Sequence, residues 1–172
     1  LIIFATLAVI LLLCSVFSDH LTPYDPYIQD LSNAKALPSA EHLFGTDQYG
    51  RDMLSRVIIG SRTSIYSTLV LVAIITVIGT CVGIFCGWHG KWIDTVLMRI
   101  SDVFLAFPGL VFALAVAGVL GGGLQNAIIA LAAISWPKYA RIARSQTLSL
   151  KETPFLKAAK LSGSSTSKII FK

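Results

Sequence analysis

The side chains that could carry chemistry lie outside the long apolar runs of this sequence. Three runs, residues 1–17, 63–87 and 103–137, contain no Asp, Glu, Lys, Arg or His. Proton- and ion-coupled carriers usually need ionisable groups inside the membrane, and intramembrane proteases need a catalytic pair there. Because these runs supply neither, we expect any transport by this chain to draw its energy from a partner protein.

Nucleotide and metal chemistry have no better basis in the sequence. Residues 163–168 superficially resemble a phosphate-binding loop, but the glycine and the lysine are spaced wrongly. The histidines, His20, His42 and His89, are scattered, whereas a metal site needs ligands that converge. We therefore predict no catalytic, cofactor-binding or metal-binding residue in this chain, and we do not expect an enzyme.

Composition indicates a bilayer environment. Hydrophobic residues make up 55% of the 172 residues, charged residues only 13%, and the mean hydropathy is +0.74. A soluble domain has roughly a quarter of its residues charged. The net charge is +5, but the basic residues flank apolar runs and no nucleic-acid motif is present, so we expect no nucleic-acid partner. The sequence starts without Met and stops in mid-pattern, which favours a fragment of a longer protein.

The first two predicted spans come directly from the apolar runs. Residues 1–17 form transmembrane helix 1, and residues 63–87 form transmembrane helix 2 after a short helix leading in from about residue 52. Gly79, Gly83 and Gly87 repeat every four residues in the second span. This spacing lets another helix approach closely, although glycine is also simply common in membrane helices.

The third run is too long for one span. Its 35 residues, 103–137, would extend about 52 Å as one helix, against a hydrocarbon core of roughly 30 Å. The triplet Gly121-Gly122-Gly123 supplies a break. We therefore predict a third span over 103–120, with Pro108 in its first turns, and a fourth over 124–139.

Charge gives the orientation. The segment 18–62 has six acidic and four basic residues, whereas the tail 138–172 has eight basic residues and one acidic residue. Cytoplasmic loops are enriched in Lys and Arg. We therefore expect 18–62 to be external, 63–137 to form the membrane core and 138–172 to be cytoplasmic, with a helix break near Thr153-Pro154 and a helix stop at Gly163.

One segment of the external loop resembles a known family. It begins at His42 and reads H-L-F-G-T-D-Q-Y-G-R-D, followed by S-R at 55–56 and G-S-R-T-S at 60–64. This closely resembles the G-T-D-x-x-G-R-D…S-R…G-x-R-x-S signature of permease subunits in dipeptide, oligopeptide and nickel ABC importers. The signature residues are Gly45, Thr46, Asp47, Gly50, Arg51 and Asp52. Their types favour a structural turn with capping residues and an Arg51–Asp52 pair, and docking of a binding protein is an equally open alternative.

A second segment resembles the E-A-A-x-x-x-G loop of bacterial ABC importers. It reads A-A-K-L-S-G at 158–163, and Lys157 stands where the loop usually has glutamate. The resemblance implies that Lys157, Ala158, Ala159 and Gly163 belong to the loop that couples to an ATPase subunit. A short helix that ends at glycine is rigid enough to transmit a push. The alternative is a helix lying on anionic lipid.

The resemblance covers nearly the whole chain. It implies an all-α, polytopic membrane protein of the type I ABC-importer permease fold, with four of six transmembrane helices present in this sequence. It also implies a heterodimer with a second homologous permease subunit, ATPase subunits that bind ATP, an external substrate-binding protein and a bacterial or archaeal cytoplasmic membrane. The alternative function is a membrane-anchored interaction protein that recruits a soluble partner without transport.

Overall fold

The computed structural model describes residues 2–165 and Ile169. Leu1 of the predicted first span lies outside the described residues. So do residues 166–168 and 170–172, which belong to the predicted cytoplasmic tail.

The regular structure of the described residues is helical. The exception is one isolated antiparallel bridge between Thr46 and Asp52. The predicted all-α fold is therefore confirmed. The chain divides into two compact units, residues 1–69 and 70–172.

The first unit contains an apolar helix, an irregular segment and the beginning of a long helix. These elements are α1 (Ile2–Val16), α2 (Ser18–Leu21), a single 3-10 turn (Leu31–Asn33) and the start of α3 (Met53–His89). Three prolines between α2 and α3 fix backbone angles and remove N–H donors, so this part of the chain forms turns instead of a helix.

The surface of α1 is apolar on every side. Phe4 is 76% exposed and Val9 is 53% exposed, while the residue that α1 buries is Ser15. A helix that shows large apolar side chains all round is suited to lipid or to a protein partner rather than to water.

The helix α3 joins two elements that the sequence separates. The short helix expected after residue 52 and the span expected over 63–87 form one uninterrupted helix of 37 residues, Met53–His89. Gly60 lies near the expected boundary, but a single glycine weakens a helix by only about 1 kcal/mol and does not end it. The predicted limit of the external segment at Arg62 therefore falls inside a helix.

The second unit contains the remainder of α3 and four further helices. These are α4 (Lys91–Ala106), α5 (Gly109–Val119), α6 (Leu124–Lys151) and α7 (Pro154–Leu161). The predicted glycine break is confirmed, because the triplet at 121–123 joins α5 to α6 with φ values of +91°, +73° and +88°. These left-handed angles, which favour glycine, turn the chain back.

The predicted third span over 103–120 is wrong as a continuous helix. The chain leaves helical geometry at Phe107, whose φ and ψ are −84° and 144°, and α4 and α5 meet at 91°. A residue that precedes proline is pushed out of the α region by the proline ring, so Pro108 ends α4 and α5 starts at Gly109. Around the bend the Phe104 ring contacts Phe112 edge-on, with centroids 6.2 Å apart.

The predicted end of the fourth span near Tyr139 falls inside the helix α6, so the membrane boundary there stays a prediction. The helix α6 passes through Pro137 and ends at Lys151. Pro137 removes one backbone hydrogen bond, but its ring is fully buried, and tight packing holds the helix together there.

One described helix, α3, is long and apolar enough by itself to cross a bilayer. The bent pair α4 and α5 would make a second crossing if it is one broken span. The helix α1 is apolar but shorter, at 15 residues. The predicted number of four spans stays a prediction.

The glycine row of α3 packs closely against α6, which is one of the two interpretations that its spacing allows. A Cβ atom added at Gly79 would lie 2.5 Å from the Cβ of Tyr139, and one added at Gly83 would lie 2.3 Å from the carbonyl oxygen of Ala140. One added at Gly87 would lie 2.8 Å from Cβ of Thr147. Three successive contacts of this kind bring the two backbones together along about two helical turns.

Candidate functional site

Asp47 organises the turn at the centre of the signature loop, the segment that carries the signature residues Gly45 to Asp52. Its Oδ1 accepts hydrogen bonds from the backbone N–H groups of Tyr49 and Arg51, at 2.8 and 3.1 Å. Its Oδ2 lies 2.8 Å from Nε and Nη2 of Arg51 and 3.7 Å from Nε of Arg56. The expected pair of Arg51 with Asp52 is wrong, because the guanidinium of Arg51 binds the Asp47 carboxylate that closes the turn.

Asp52 begins α3. Its Oδ2 accepts a hydrogen bond from the backbone N–H of Ser55 at 2.8 Å, which is the bond that an N-cap residue makes to the third helical position. Its Oδ1 lies 3.0 Å from Nδ1 of His42. Asp52 is only 4% exposed, so these partners replace the water that a carboxylate otherwise needs.

Thr46 connects the signature to an earlier part of the loop. Its residue type suggested a helix cap, but its hydroxyl makes loop contacts instead. Its Oγ1 accepts a hydrogen bond from the backbone N–H of Ala36 at 2.8 Å and donates one to the carbonyl oxygen of Asn33. Its backbone N–H donates to the carbonyl oxygen of Ala36 at 3.1 Å. Thr46 is 8% exposed, so the hydroxyl is satisfied inside the loop.

The two signature glycines are required by conformation and by space. Gly45 and Gly50 have φ values of +70° and +72°. A Cβ atom at Gly50 would lie 1.6 Å from the carbonyl oxygen of Asp30, and one at Gly45 would lie 2.5 Å from the carbonyl oxygen of Ala36. Any other residue would therefore force the backbone apart.

The surroundings of Asp47 and Asp52 favour the ionised form of both carboxyl groups. Partial burial raises the pKa of Asp47. Hydrogen bonds from Tyr49 and Arg51 lower the pKa by a larger amount, so the net pKa lies below its usual value. Burial likewise raises the pKa of Asp52, while hydrogen bonds from Ser55 and the neighbouring His42 bring the net pKa below its usual value.

The signature residues thus find their partners within the signature loop and its immediate neighbours. Its charged, hydroxyl and glycine positions each have a partner or a conformational reason within residues 30–56. This supports the structural interpretation of the motif. Docking of a binding protein on this loop stays a prediction.

The helix α7 begins where the sequence predicts a break. After α6 ends at Lys151, two residues connect it to Pro154, which occupies the first turn of α7. Proline is well tolerated there because its missing N–H has no helical partner in any case. The backbone N–H of Thr153 donates to the carbonyl oxygen of Leu150 at 3.0 Å, which keeps the connection tight.

The glycine that ends α7 forms a Schellman motif. The backbone N–H of Ser164 donates to the carbonyl oxygen of Ala159 at 3.2 Å, and that of Gly163 donates to the carbonyl oxygen of Lys160 at 3.1 Å. Gly163 has a φ of +81° and open space around its Cβ position. The backbone conformation, and not crowding, therefore requires glycine here.

The outer surface of α7 is apolar and exposed. Phe155 is 79% exposed and Leu161 is 90% exposed, with the exposed Ala158 between them at helical spacing. Ala159 is half-buried. Lys157, in the position where the family loop usually has glutamate, forms an ion pair with Glu152 at 2.8 Å.

Glu152 is the acidic partner of Lys157, and the sequence analysis did not predict this pair. The hydrogen bond and the charge of Lys157 lower the pKa of Glu152. The two side chains are 58% and 73% exposed, so the pair adds little stability. The pair does offset the positive charge of Lys157, which stands where the E-A-A-x-x-x-G pattern has glutamate.

Sequence reasoning missed two ion pairs and one hydrogen bond that hold α6. Arg144 binds Asp94 of α4 with two N–H groups, and Arg141 binds Asp102 of the same helix. Nζ of Lys151 donates to the carbonyl oxygen of Trp88 at 2.6 Å. The signal was available, because these charges lie next to apolar runs, but sequence alone does not say which acid meets which base.

The comparisons with known proteins identify the family. The family described as binding-protein-dependent transport system inner membrane component matches residues 79–172, more than half of the chain. The chain belongs to this family. The match includes the whole of α7 and the glycine row of α3, and it agrees with the predicted membrane location.

Curated relatives match almost the entire chain. It is 40% identical over 160 residues to a dipeptide transport system permease protein of Alkalihalophilus pseudofirmus, covering 93% of this chain and 53% of the relative. It is 43% identical over 161 residues to a probable D,D-dipeptide transport system permease protein of Escherichia coli, covering 94% and 54%. It is 37% identical over 171 residues to a glutathione transport system permease protein of Pectobacterium atrosepticum, covering 98% and 56%. The chain therefore spans about half the length of these family members.

Proposed function

We propose that this chain is part of a permease subunit of an ATP-driven ABC importer in the cytoplasmic membrane, with α7 as the element that contacts an ATPase subunit. The observation that carries the proposal is the geometry of α7. It is a short helix with a Schellman end at Gly163 and exposed apolar side chains at Phe155 and Leu161. A water-facing helix has no reason to expose these two side chains so fully, whereas a helix that enters a protein groove has.

The proposed partners follow from the family. They are a second homologous permease subunit, ATPase subunits that bind and hydrolyse ATP, an external substrate-binding protein, and membrane lipid around the apolar helices. No cofactor is assigned to this chain. Lys157 and Lys160 flank the apolar surface of α7, so an ATPase groove with an apolar floor and an acidic rim would suit it.

Charge supports the proposed orientation. Residues 138–172 carry eight basic residues and one acidic residue, and we place them in the cytoplasm. Residues 18–62 carry more acidic than basic residues, and we place them outside. This puts α7 on the side where ATP is available, and the signature loop on the side where a binding protein delivers substrate.

A peptide is the proposed substrate class. The relatives described above are named for the transport of dipeptides, D,D-dipeptides and glutathione. Nickel, which the sequence resemblance also allows, is a distinguishable outcome of the uptake test. The delivering binding protein would set the selectivity among peptides.

Two substitutions at one position test the proposal in the full-length subunit, reconstituted with its partners. Gly163→Val places a β-branched residue at a φ of +81°, at a cost of about 1–3 kcal/mol to the end of α7. Gly163→Asn is the matched control, because Asn adopts this conformation more readily. We expect Gly163→Val to abolish ATP-dependent uptake of labelled dialanine or glutathione with normal membrane insertion, and Gly163→Asn to retain most of it.

The outcomes separate the candidate functions. Uptake of Ni²⁺ in place of both peptides would transfer the proposal to the nickel branch. Equal uptake by wild type and Gly163→Val would count against a coupling role for α7. Co-purification with a soluble partner that is not an ATPase, without uptake of any of the three probes, would favour the membrane-anchored interaction protein.

A further inference from the structure

The helix α6 is held on two sides near its basic end. On one side, the glycine row of α3 brings the backbones together, and a Cβ atom added at Gly87 would meet Thr147 at 2.8 Å. On the other side, Arg144 and Arg141 bind Asp94 and Asp102 of α4. These contacts lie in one compact unit and involve two parts of the α6 surface near its end.

The helix α7 cannot move far without moving this end of α6. Only two residues, Glu152 and Thr153, separate the helices, and both are engaged. The hydroxyl of Thr153 donates to the carbonyl oxygen of Leu150 at 2.7 Å, and Glu152 pairs with Lys157 on α7. A displacement of α7 therefore reaches α6 over a short and stiff connection.

The ion pairs on α4 lead from α6 to the bend at Pro108. Asp94 lies in the first turn of α4, and the helix runs from there to Ala106 and the 91° bend. Near the bend the ring of Phe104 packs edge-on against Trp136 of α6, with centroids 6.0 Å apart. Thus α4 touches α6 at both of its ends and leads directly into the bend.

The two α4–α6 ion pairs differ in environment. The side chains of Asp94 and Arg144 are 14% and 32% exposed, whereas those of Asp102 and Arg141 are 44% and 50% exposed. Arg144 uses two N–H groups, which fixes the orientation of the guanidinium as well as its distance. The Asp94–Arg144 pair, which is less exposed and has two hydrogen bonds, therefore resists separation. In the more exposed Asp102–Arg141 pair, water can replace either partner at little cost.

We propose that Asp94 and Arg144 are positioning residues that transmit the movement of α7 to α4 and its bend, so that ATP hydrolysis drives transport. This inference rests on the proposed function. The pair acts through the helices and does not touch substrate or nucleotide. Its removal should therefore separate ATP hydrolysis from uptake, and should not stop both together.

The test measures uptake and ATP hydrolysis side by side in the full-length, reconstituted complex. The probe is whichever of labelled dialanine, labelled glutathione or Ni²⁺ the wild-type complex takes up. For Asp94→Asn we expect about a tenfold loss of probe taken up per ATP hydrolysed, with hydrolysis itself within about twofold of wild type. Exchanging the charges, with Asp94→Arg and Arg144→Asp together, should restore a large part of the ratio.

Two further variants complete the experiment. Arg144→Lys keeps the charge but loses the two-pronged geometry, and we expect an intermediate ratio. Arg99→Gln is the matched control on α4. The Arg99 side chain is 80% exposed, and its Nη1 lies 3.9 Å from Oδ2 of Asp102, which is a weak ion pair. We therefore expect a wild-type ratio for this variant.

Several results would overturn the inference. They are an unchanged ratio in Asp94→Asn, a proportional loss of hydrolysis and uptake, or no recovery on charge exchange. Failure of every Asp94 and Arg144 variant to assemble would assign the pair to folding and would also overturn it. These results are distinct from failure of the proposed function, in which the wild-type complex itself takes up none of the probes.

Discussion

The signature loop and α7, one in each compact unit, use their motif residues in opposite ways. In the signature loop the polar side chains are bound by neighbours, with Asp47 and Asp52 together accepting hydrogen bonds from three backbone N–H groups. In α7 the backbone is closed at Gly163, but Phe155 and Leu161 remain 79% and 90% exposed. A motif whose polar groups are all hydrogen-bonded within the loop acts as a structural scaffold. A motif whose apolar side chains are exposed to solvent is available to bind a partner.

The largest expected effect breaks the scaffold. Gly50→Ala would place a Cβ atom 1.6 Å from the carbonyl oxygen of Asp30, at a position whose φ is +72°. We expect the loop to lose its fold at a cost of about 4 kcal/mol or more. Limited proteolysis of the full-length subunit in nanodiscs would measure this as rapid cleavage between α2 and α3.

Gly60→Ala is the matched control for that experiment. Gly60 lies within α3 and has no atom within 4 Å of its Cβ position. Alanine should be neutral or slightly stabilising there. Equal resistance of both variants to the protease would show that the loop is not the rigid scaffold described here.

A smaller effect is expected when the helix cap is removed. Asp52→Ala loses the hydrogen bond to Ser55 and leaves His42 without its carboxylate, so we expect a loss of about 1–2 kcal/mol in the free energy of unfolding. Thermal unfolding would check this against Glu41→Ala, which removes an exposed carboxylate of the same loop. The comparison fails if the two variants unfold at the same temperature.

Acid should loosen the scaffold over a defined range. The pKa values of Asp47 and Asp52 are lowered in the folded loop, so their contribution to stability is complete above the usual value of 3.8. That contribution is lost as the pH falls through the lowered folded values. NMR amide shifts of Tyr49 and Ser55, recorded from about pH 7 to about pH 3, should change only at the acid end. A midpoint well above 3.8 would contradict the assignment.

The smallest effect on stability is expected in α7. Changing both Phe155 and Leu161 to Ser should alter the free energy of unfolding by less than about 0.5 kcal/mol, because both are exposed. The same variant should lose its ATPase subunit during purification. Retention of the ATPase together with a large fall in stability would reverse the contrast between the two motifs.

Local sequence rules predicted much of the second unit. The glycine triplet at 121–123, the break before Pro154 and the helix stop at Gly163 follow from backbone preferences of single residues, and the structure has each of them. The close packing of the glycine row is one of the two interpretations that its spacing allowed. These features depend on a few adjacent residues, which a sequence displays directly.

The errors arose where the outcome depends on distant residues or on one strong local constraint. Arg51 was paired with Asp52 because they are adjacent, but the turn brings Arg51 to Asp47. The bend at Pro108 was missed because apolar composition suggested a continuous span. The Arg144–Asp94 pair joins residues fifty positions apart, and no local pattern selects Asp94 over other acids.

Site-directed cross-linking tests the central claim, that α7 contacts the ATPase, most directly. A single cysteine would replace Ala158, on the exposed surface of α7, and in a matched variant it would replace Tyr27, which is 72% exposed in the segment between α2 and α3. In the assembled full-length complex, with the native cysteines replaced, Ala158→Cys should cross-link to the ATPase subunit and Tyr27→Cys should not. No ATPase cross-link from Ala158→Cys, or one from Tyr27→Cys, would contradict the account.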